Sequence, residues 1–207
     1  MPAAFHQLAF TGSVRKAQDH YYGRHWAVGE GEPQPDALTA DEVAFIESRD
    51  SFYMATVGEG GWPYVQHRGG EPGFLKAVGP STLLFADFAG NRQMISVGNL
   101  AASEKVALFL MDYPSRSRLK ILGRARVEDL RDHPDLLPPE QRQGVERLFF
   151  IDVAAYDWNC TKHITPRYTQ AEVEEAVLPL RQRIAELEQR LASLSAPNPN
   201  PPPSPAP

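Results

Sequence analysis

The chain alternates short β-forming segments with tight turn signals between residues 51 and 156, and this pattern constrains its fold more than any other feature. Residues 52–57 and 62–67 flank a glycine-rich turn at 58–61, which predicts a β-hairpin. Further strands are predicted at 74–78, 82–86, 105–111, 119–127 and 149–156, and helices at 92–102 and 140–148. Short strands joined by hairpin turns and flanked by helices favour a closed antiparallel barrel with α-helical decoration.

Four segments follow from the composition along the chain: a helical and loop extension at 1–38, a β-rich domain at 39–168, an amphipathic helix at 169–195 and a proline-rich tail at 196–207. Thr39 followed by Glu42 forms the capping-box pattern that opens a helix. The tail holds seven of the 19 prolines and no large apolar side chain that would offset the entropy of ordering it. It is expected to be disordered or polyproline II, with docking to a partner as the alternative.

Apolar residues recur at alternating intervals of four and three before the tail, which is the pattern of a heptad seam. The members of this seam are Val173, Val177, Leu180, Ile184, Leu187, Leu191 and Leu194. Pro179 interrupts the segment, so the sound part of the helix is expected to begin there. Two interpretations stay open: a helix that packs on its own domain, and a helix that pairs across a dimer.

Charge and composition exclude several classes of function. The chain has 21 basic and 26 acidic residues and a net charge of −5, which argues against binding to nucleic acid. Cys160 is the single cysteine, so no internal disulfide or Cys-rich zinc site can form, and the scattered histidines predict no metal site. No apolar run of membrane-spanning length and no secretory signal pattern is found, so the cytoplasm is the expected location. A nucleophile-elbow motif typical of serine hydrolases is also missing from the sequence.

Cations and glycines concentrate in two segments, 66–70 and 85–93. The second segment leaves a predicted strand, passes Gly90 and opens a predicted helix. Free backbone N–H groups at a helix start favour an anion, and Arg92 adds a full positive charge there. Asn91 is then a donor to a phosphate oxygen. The alternative is that Asn91 only caps the helix and that Arg92 is solvated.

The order and spacing of several motifs resemble a known family. The sequences FLK at 74–76, FADFAGNRQ at 85–93, VALFL at 106–110 and RLKILGRA at 118–125 are similar to those of the pyridoxamine 5′-phosphate oxidase-related flavoproteins. PYVQHRGG at 63–70 is similar to the flavin-nucleotide-binding branch of that family. The resemblance covers residues 51–167. It implies a mainly β split barrel of six antiparallel strands with Greek-key-like connections, which forms a homodimer and binds FMN at the dimer interface.

The resemblance also implies which residues meet the cofactor. Lys76 corresponds to a strand lysine that holds the FMN phosphate, and Asn91, Arg92 and Gln93 correspond to a Ser/Arg/Lys trio with the same role. Three further positions are implied to approach the ribityl chain or the ring, namely Ala86, Asp87 and Arg118.

Three more residues are assigned to the flavin site, Arg68 through the family motif and the other two through their chemistry. Arg68 replaces the arginine of the family motif, whose position holds Glu71 here. His67 is a cation that can stabilise the reduced flavin, as is Arg118, although Arg118 can equally be a surface residue. Trp158 either stacks on the isoalloxazine or packs in the core or an interface.

The sequence also departs from the family in ways that bear on activity. Gln93 stands where the family has lysine, and residues 157–167 hold no counterpart of the Arg-and-His substrate motif of the oxidases. We therefore predict an FMN-dependent oxidoreductase that acts on a small molecule other than pyridoxamine phosphate. The alternative is a non-catalytic module that binds or senses flavin or haem. Cys160 is either a redox-active thiol or an inert buried one.

Overall fold

The computed structural model describes residues 3–158 and 162–195, so both Cys160 and the proline-rich tail lie outside the described residues. The chain divides into two units, Met1–Thr165 and Pro166–Pro207. The first unit contains α1 (Ala3–Ala9), α2 (Gly12–Tyr22), α3 (Ala40–Glu47), β1 (Ser51–Val57), β2 (Pro63–Gly69), β3 (Leu75–Ala77), β4 (Thr82–Phe88), α4 (Ile95–Ala102), β5 (Lys105–Asp112), β6 (Ser117–Asp129) and β7 (Val145–Trp158). The second unit contains α5 (Gln170–Ser195).

The seven strands form one antiparallel sheet in the order β2-β1-β5-β6-β7-β4-β3. The predicted mainly β fold with helical decoration is confirmed. The described sheet has the seven strands that the sequence pattern predicts, one more than the six that the family resemblance implies, and it is open rather than closed.

The main core lies on one face of this sheet because successive side chains of a strand point to opposite sides, and smaller buried clusters cover part of β4 and β7 on the other face. On β1, Phe52, Met54 and Thr56 are buried and their neighbours are more exposed. Phe52 packs edge-on against Phe85 of β4, whose ring stacks on Phe149 of β7 at 4.7 Å between centroids. These aromatic rings join both halves of the sheet and form the floor below the site described next.

Three elements differ from their sequence-based predictions. The predicted helix at 140–148 is wrong: a single 3-10 turn, Pro139–Gln141, precedes β7, whose first residues pair with β4. The helix predicted from 92 begins at Ile95, because Arg92 and Met94 take left-handed backbone conformations with φ of 60° and 57°. Helix α5 begins well before Pro179, because Glu172 accepts hydrogen bonds from both the backbone N–H and the hydroxyl of Thr169.

The capping box predicted at the start of α3 is confirmed, since Glu42 accepts a hydrogen bond from the backbone N–H of Thr39 at 3.0 Å. In the N-terminal extension, Ala4 and Phe5 of α1 pack with Ala155 of β7. No described helix combines the length and the apolar character needed to cross a membrane.

Candidate functional site

A cavity of about 230 Å³ opens where β2 and β4 end and the loop to α4 begins. We call it the arginine cavity, because three arginines line it: Arg68 of β2, Arg147 of β7 and Arg92 of the loop. The remaining lining residues are Tyr64, Gln66, Asp87, Phe88, Gly90, Asn91, Gln93, Met94, Ile95, Ser96 and Val97.

Asp87 organises two of these arginines. Its side chain is only 10% exposed, and one carboxylate oxygen accepts a hydrogen bond from Arg68 at 2.7 Å. The other oxygen accepts from Arg147, whose Nη2 and Nε lie at 3.0 and 3.1 Å. Register explains the second contact, because Asp87 pairs directly with Arg147 across the β4–β7 ladder. The carboxylate therefore fixes both guanidinium groups beside the cavity.

Arg68 is held from a second direction as well. Its guanidinium carbon lies 5.5 Å from the centroid of Phe85 and 5.2 Å from that of Phe149, which is a cation–π arrangement. The Nε atom of Arg68 is buried and has no hydrogen-bond partner within the described part of the chain. Since Tyr64, Gln66 and Arg68 alternate along β2, all three reach the same side of the sheet.

The loop after β4 carries backbone strain next to these charges. The β4–β7 register shifts between Asp87 and Phe88, which is a β-bulge and releases the chain from the sheet. Asn91 then accepts a hydrogen bond from the backbone N–H of Gln93 at 3.2 Å. Left-handed conformations at Arg92 and Met94 cost roughly 1 kcal/mol or more each for residues with a Cβ. Strain of this kind clusters at ligand sites, so the loop is a candidate anion-binding element.

The lining of the arginine cavity favours an anion. Three guanidinium groups face one carboxylate, which leaves a net lining charge of +2. Arg147 also pairs with Glu146 at 2.8 Å, a residue outside the lining. Arg68 and Arg147 are mostly buried, with side chains 15% and 21% exposed, so their charges are screened less by solvent than surface charges are. Among the described residues, no group of three or more His, Cys, Asp or Glu side chains is arranged to hold a metal ion.

A second, larger cavity of about 470 Å³ lies beside β3 and the turn that follows β2. Lys76 and Ala86 line this Lys76 cavity together with apolar side chains that include Leu84 and Leu137. The Lys76 ammonium donates to the side-chain oxygen of Gln141 at 3.1 Å. Phe88 lines both cavities.

The structure thus divides the residues that the sequence assigned to a flavin. Arg68, Asp87, Asn91, Arg92 and Gln93 meet in the arginine cavity. Lys76 and Ala86 lie in the Lys76 cavity, while His67, Arg118 and Trp158 line neither of the two.

His67 and Arg118 occupy the sheet face opposite to the core. The His67 ring packs edge-on against Tyr53, with 5.5 Å between centroids, and Tyr53 pairs with Phe109 on the other side. The Arg118 guanidinium lies 5.9 Å from the Phe109 centroid, and its buried Nε has no hydrogen-bond partner among the described residues. Tyr53 is 42% exposed and Val65, on the same face, 60% exposed. Tyr53, Val65 and Phe109 therefore form an apolar, partly accessible strip on this outer face, beside His67 and Arg118.

Trp158 belongs to a structural network around a buried carboxylate. Its indole N–H donates to Glu42 at 2.7 Å, its ring packs edge-on against Phe45, and the Tyr156 hydroxyl donates to Glu42 at 3.1 Å. Burial raises the pKa of the Tyr156 hydroxyl to about 12, and the adjacent Glu42 adds to that shift. Burial also acts to raise the pKa of Glu42, but hydrogen bonds from Thr39, Trp158 and Tyr156 outweigh it and leave this pKa below its usual range.

Sequence reasoning missed Arg147, because the segment around it was predicted to be a helix. The available signal for a strand was the short apolar run Leu148–Ile151, with two phenylalanines, that directly follows Arg147. Gln66 was also missed; its side-chain oxygen accepts a hydrogen bond from the buried Ser96 hydroxyl at 2.9 Å. That contact ties α4, and with it the end of the strained loop, to β2.

Several solved structures are similar to this chain at low sequence identity. HupZ from Group A Streptococcus is 12% identical and aligns over 63% of this chain and all of its own, with a TM-score of 0.47. A Clostridium acetobutylicum protein related to general stress protein 26, of the pyridoxinephosphate oxidase family, is 14% identical over 64% and 94% of the two chains, with a TM-score of 0.45. An FAD-binding protein from Mesorhizobium loti is 14% identical over 59% and 95%, with a TM-score of 0.40. At such identities the likeness concerns the fold alone.

Comparison with functionally curated proteins gives no match. The family model described as pyridoxamine 5′-phosphate oxidase, in contrast, matches residues 38–151, which is more than half of the chain and includes both cavities. The antiparallel sheet with its flanking helices agrees with the mainly β fold that the sequence motifs implied. The chain therefore belongs to the pyridoxamine 5′-phosphate oxidase family, a family of flavin-nucleotide-binding proteins.

Proposed function

We propose that this protein binds FMN and uses it as an oxidoreductase acting on a small molecule. The observation that carries the proposal is the net charge of +2 in the arginine cavity, between a strained loop and two arginines held in place by Asp87. A phosphate monoester is close to a dianion at neutral pH, since its second pKa is about 6. Charge, donor type and preorganisation of the lining all suit such a group.

Within this proposal the chain's residues divide the cofactor between them. Arg92 and the loop amides bind the phosphate, and Arg68 of β2 and Arg147 of β7 supply further positive charge from the sheet side of the cavity. Lys76 and the apolar side chains of the Lys76 cavity take the ring system, which is large and flat. Phe88 lines both cavities and separates the two parts.

Bound FMN would supply hydride transfer to or from the substrate through its ring system. The protein's part is to place the ring and to tune its charge. A cation beside the pyrimidine edge of a flavin stabilises the anionic reduced form. His67 and Arg118 lie on the outer face and line neither cavity, so they can serve this role only toward a ring bound at that face.

We further propose that the outer face is covered by a second copy of the chain. Val65, Tyr53 and Phe109 form an accessible apolar strip there, and such strips on a folded chain mark interaction surfaces. A homodimer formed through this face would bring further acceptors to Arg118, whose Nε atom has no partner among the described residues, and would place the two cations at the interface.

The phosphate assignment is tested by titrating the purified protein with FMN and following the quenching of flavin fluorescence. We expect Arg92→Ala to weaken FMN binding by about 1.5–3 kcal/mol, roughly 10- to 150-fold, because a charge-assisted hydrogen bond is lost. Riboflavin, which has no phosphate, should bind wild type and variant equally. Arg24→Ala, at an exposed loop position, is the matched control. Equal FMN affinity in wild type and Arg92→Ala would show that the FMN phosphate does not bind in the arginine cavity.

A second measurement separates an enzyme from a binding module. FMN-loaded protein is mixed anaerobically with NADH or NADPH, and the visible flavin absorbance is recorded. Bleaching followed by reoxidation with a chosen acceptor supports the oxidoreductase. Stable binding with no reduction by either donor, and no acceptor preference of chemically reduced protein, favours the alternative of a sensing module.

A further inference from the structure

We propose that α5 forms a parallel two-stranded coiled coil with α5 of a second copy of this chain. This inference depends on the heptad seam of α5 and on its charges, and it does not rest on the flavin assignment. The proposed partner of the seam is the same helix of a second chain, aligned in register.

The seam has the composition of a parallel dimer. In heptad notation the a positions are Val177, Ile184 and Leu191, and the d positions are Val173, Leu180, Leu187 and Leu194. β-Branched residues at a combined with leucine at d favour two parallel strands over three or four. Two of the three a positions and three of the four d positions follow that rule.

The described helix leaves this seam available. The exposed fractions of Leu180, Leu191 and Leu194 are 62%, 63% and 75%, although leucine side chains gain free energy when they leave water. The helix is continuous through Pro179, which occupies a c position and so lies away from the seam. Its 26 residues give a rod of about 39 Å, long enough for three heptads.

The flanking charges select the orientation. Arg183 is at g and Glu188 at the following e, so a parallel pair in register places each Arg183 beside the partner's Glu188. The two-fold symmetry of the pair gives two such attractive contacts, one on each side of the seam. An antiparallel pair would instead set g against g and e against e, so that repulsion between Arg183 and Arg190 offsets the attraction between Arg181 and Glu188. The parallel pair has the attractive contacts without that repulsion.

Arg183 can make this contact at little cost. Within one helix it pairs with Glu186 at 2.8 Å, but both side chains are more than 60% exposed. Exposed pairs of this kind contribute very little to stability. The intrahelical pair therefore does not compete strongly with a contact to the partner helix.

Disulfide trapping in the full-length protein tests the proposal. Leu187→Cys is introduced into a Cys160→Ser background, so that each chain has a single thiol. Position 187 is chosen because a d position meets its own copy at disulfide distance only in a parallel, in-register pair. Gln189→Cys, two residues away at an outward f position, is the matched control. Under mild oxidation we expect a linked dimer as the main product for Leu187→Cys and at least tenfold less for Gln189→Cys.

Exchanging the charges provides a second test. A misfolded cysteine variant that forms disulfides non-specifically would not respond to these charge changes. Glu188→Arg in the Leu187→Cys background should reduce trapping several-fold, and adding Arg183→Glu should restore it. Equal trapping at 187 and 189, or none at 187, overturns the proposal. So does a product that appears only when Ile184→Cys and Leu187→Cys chains are mixed, since an antiparallel pair packs a positions against the partner's d positions. Trapping needs no flavin, so its outcome is independent of the FMN titration.

Discussion

Asp87→Asn is the most informative single change at the site, because Asp87 is the carboxylate that offsets two buried guanidinium groups. Its side chain is 10% exposed, and its oxygens lie 2.7 Å from Arg68 and 3.0 Å from Arg147. Asparagine keeps the shape and one acceptor but removes the charge. The cavity lining would then carry three positive charges and no negative one, with Glu146 outside the lining as the remaining partner of Arg147.

The magnitude follows from the burial of the partners. Removing one member of a buried ion pair costs about 3–5 kcal/mol, because the remaining charge has no compensation. Arg68 cannot swing into solvent without leaving the rings of Phe85 and Phe149. Since Arg147 retains its pair with Glu146 and the substituted amide still offers one acceptor oxygen, we expect the lower end of this range, about 3 kcal/mol of unfolding free energy. For a protein of this size that corresponds to a fall in Tm of roughly 6–12 °C.

The same change should strengthen anion binding. Urea unfolding measured with and without FMN is the assay, and FMN should recover part of the lost stability in Asp87→Asn, as expected for a ligand that binds only the folded state. Glu104→Gln, which breaks the exposed pair with Arg124, is the matched control and should cost less than about 1 kcal/mol. Should Asp87→Asn unfold like wild type, or should FMN stabilise it less than wild type, the electrostatic account of the arginine cavity is wrong.

The remaining predictions concern the scaffold. Tyr156→Phe should have a lower unfolding free energy than wild type at neutral pH. This difference should shrink by roughly 2–3 kcal/mol as the pH rises from about 10 to about 12, because the pKa of Tyr156 is about 12 in the folded protein and 10.0 ordinarily. Urea unfolding at alkaline pH measures the difference, and a value that does not change with pH contradicts the prediction. Gly123→Ala should lose about 1–3 kcal/mol, because a Cβ there would lie 2.8 Å from Ile151. Gly98→Ala should instead gain about 0.5–1 kcal/mol of stability, because the added Cβ in α4 has nothing within 4 Å. Thermal melts compare the two alanine variants, and equal melting temperatures would contradict this packing argument.

Local parts of the site were predictable because their signals are contiguous in sequence. Gly90, Asn91 and Arg92 follow a strand and precede a helix, and the cavity is indeed lined by all three. Arg68 ends a predicted strand and was also identified. The sequence did not predict the left-handed conformations of Arg92 and Met94, which delay the start of α4.

Other parts required partners far along the chain. Arg147 meets Asp87 across 60 positions, and Trp158 meets Glu42 across 116. Lys76 was grouped with Arg92 by sequence, yet it pairs with Leu84, whose side chain packs in a cluster separate from the main core. The placement of Lys76 in a different cavity thus depends on the strand register of β3 and β4.

The amino-acid sequence alone determined the elements whose physics is local: the turn between β1 and β2, the capping box of α3, the loop with Asn91 and Arg92, and the heptad seam of α5. Each depends on residues within a few positions of one another. Tertiary structure decided which charges compensate each other and which side chains share a cavity. A one-residue change of strand register turns every side chain to the other face, and electrostatic energy depends on distance in space, so no local pattern could bring Arg147 to Asp87.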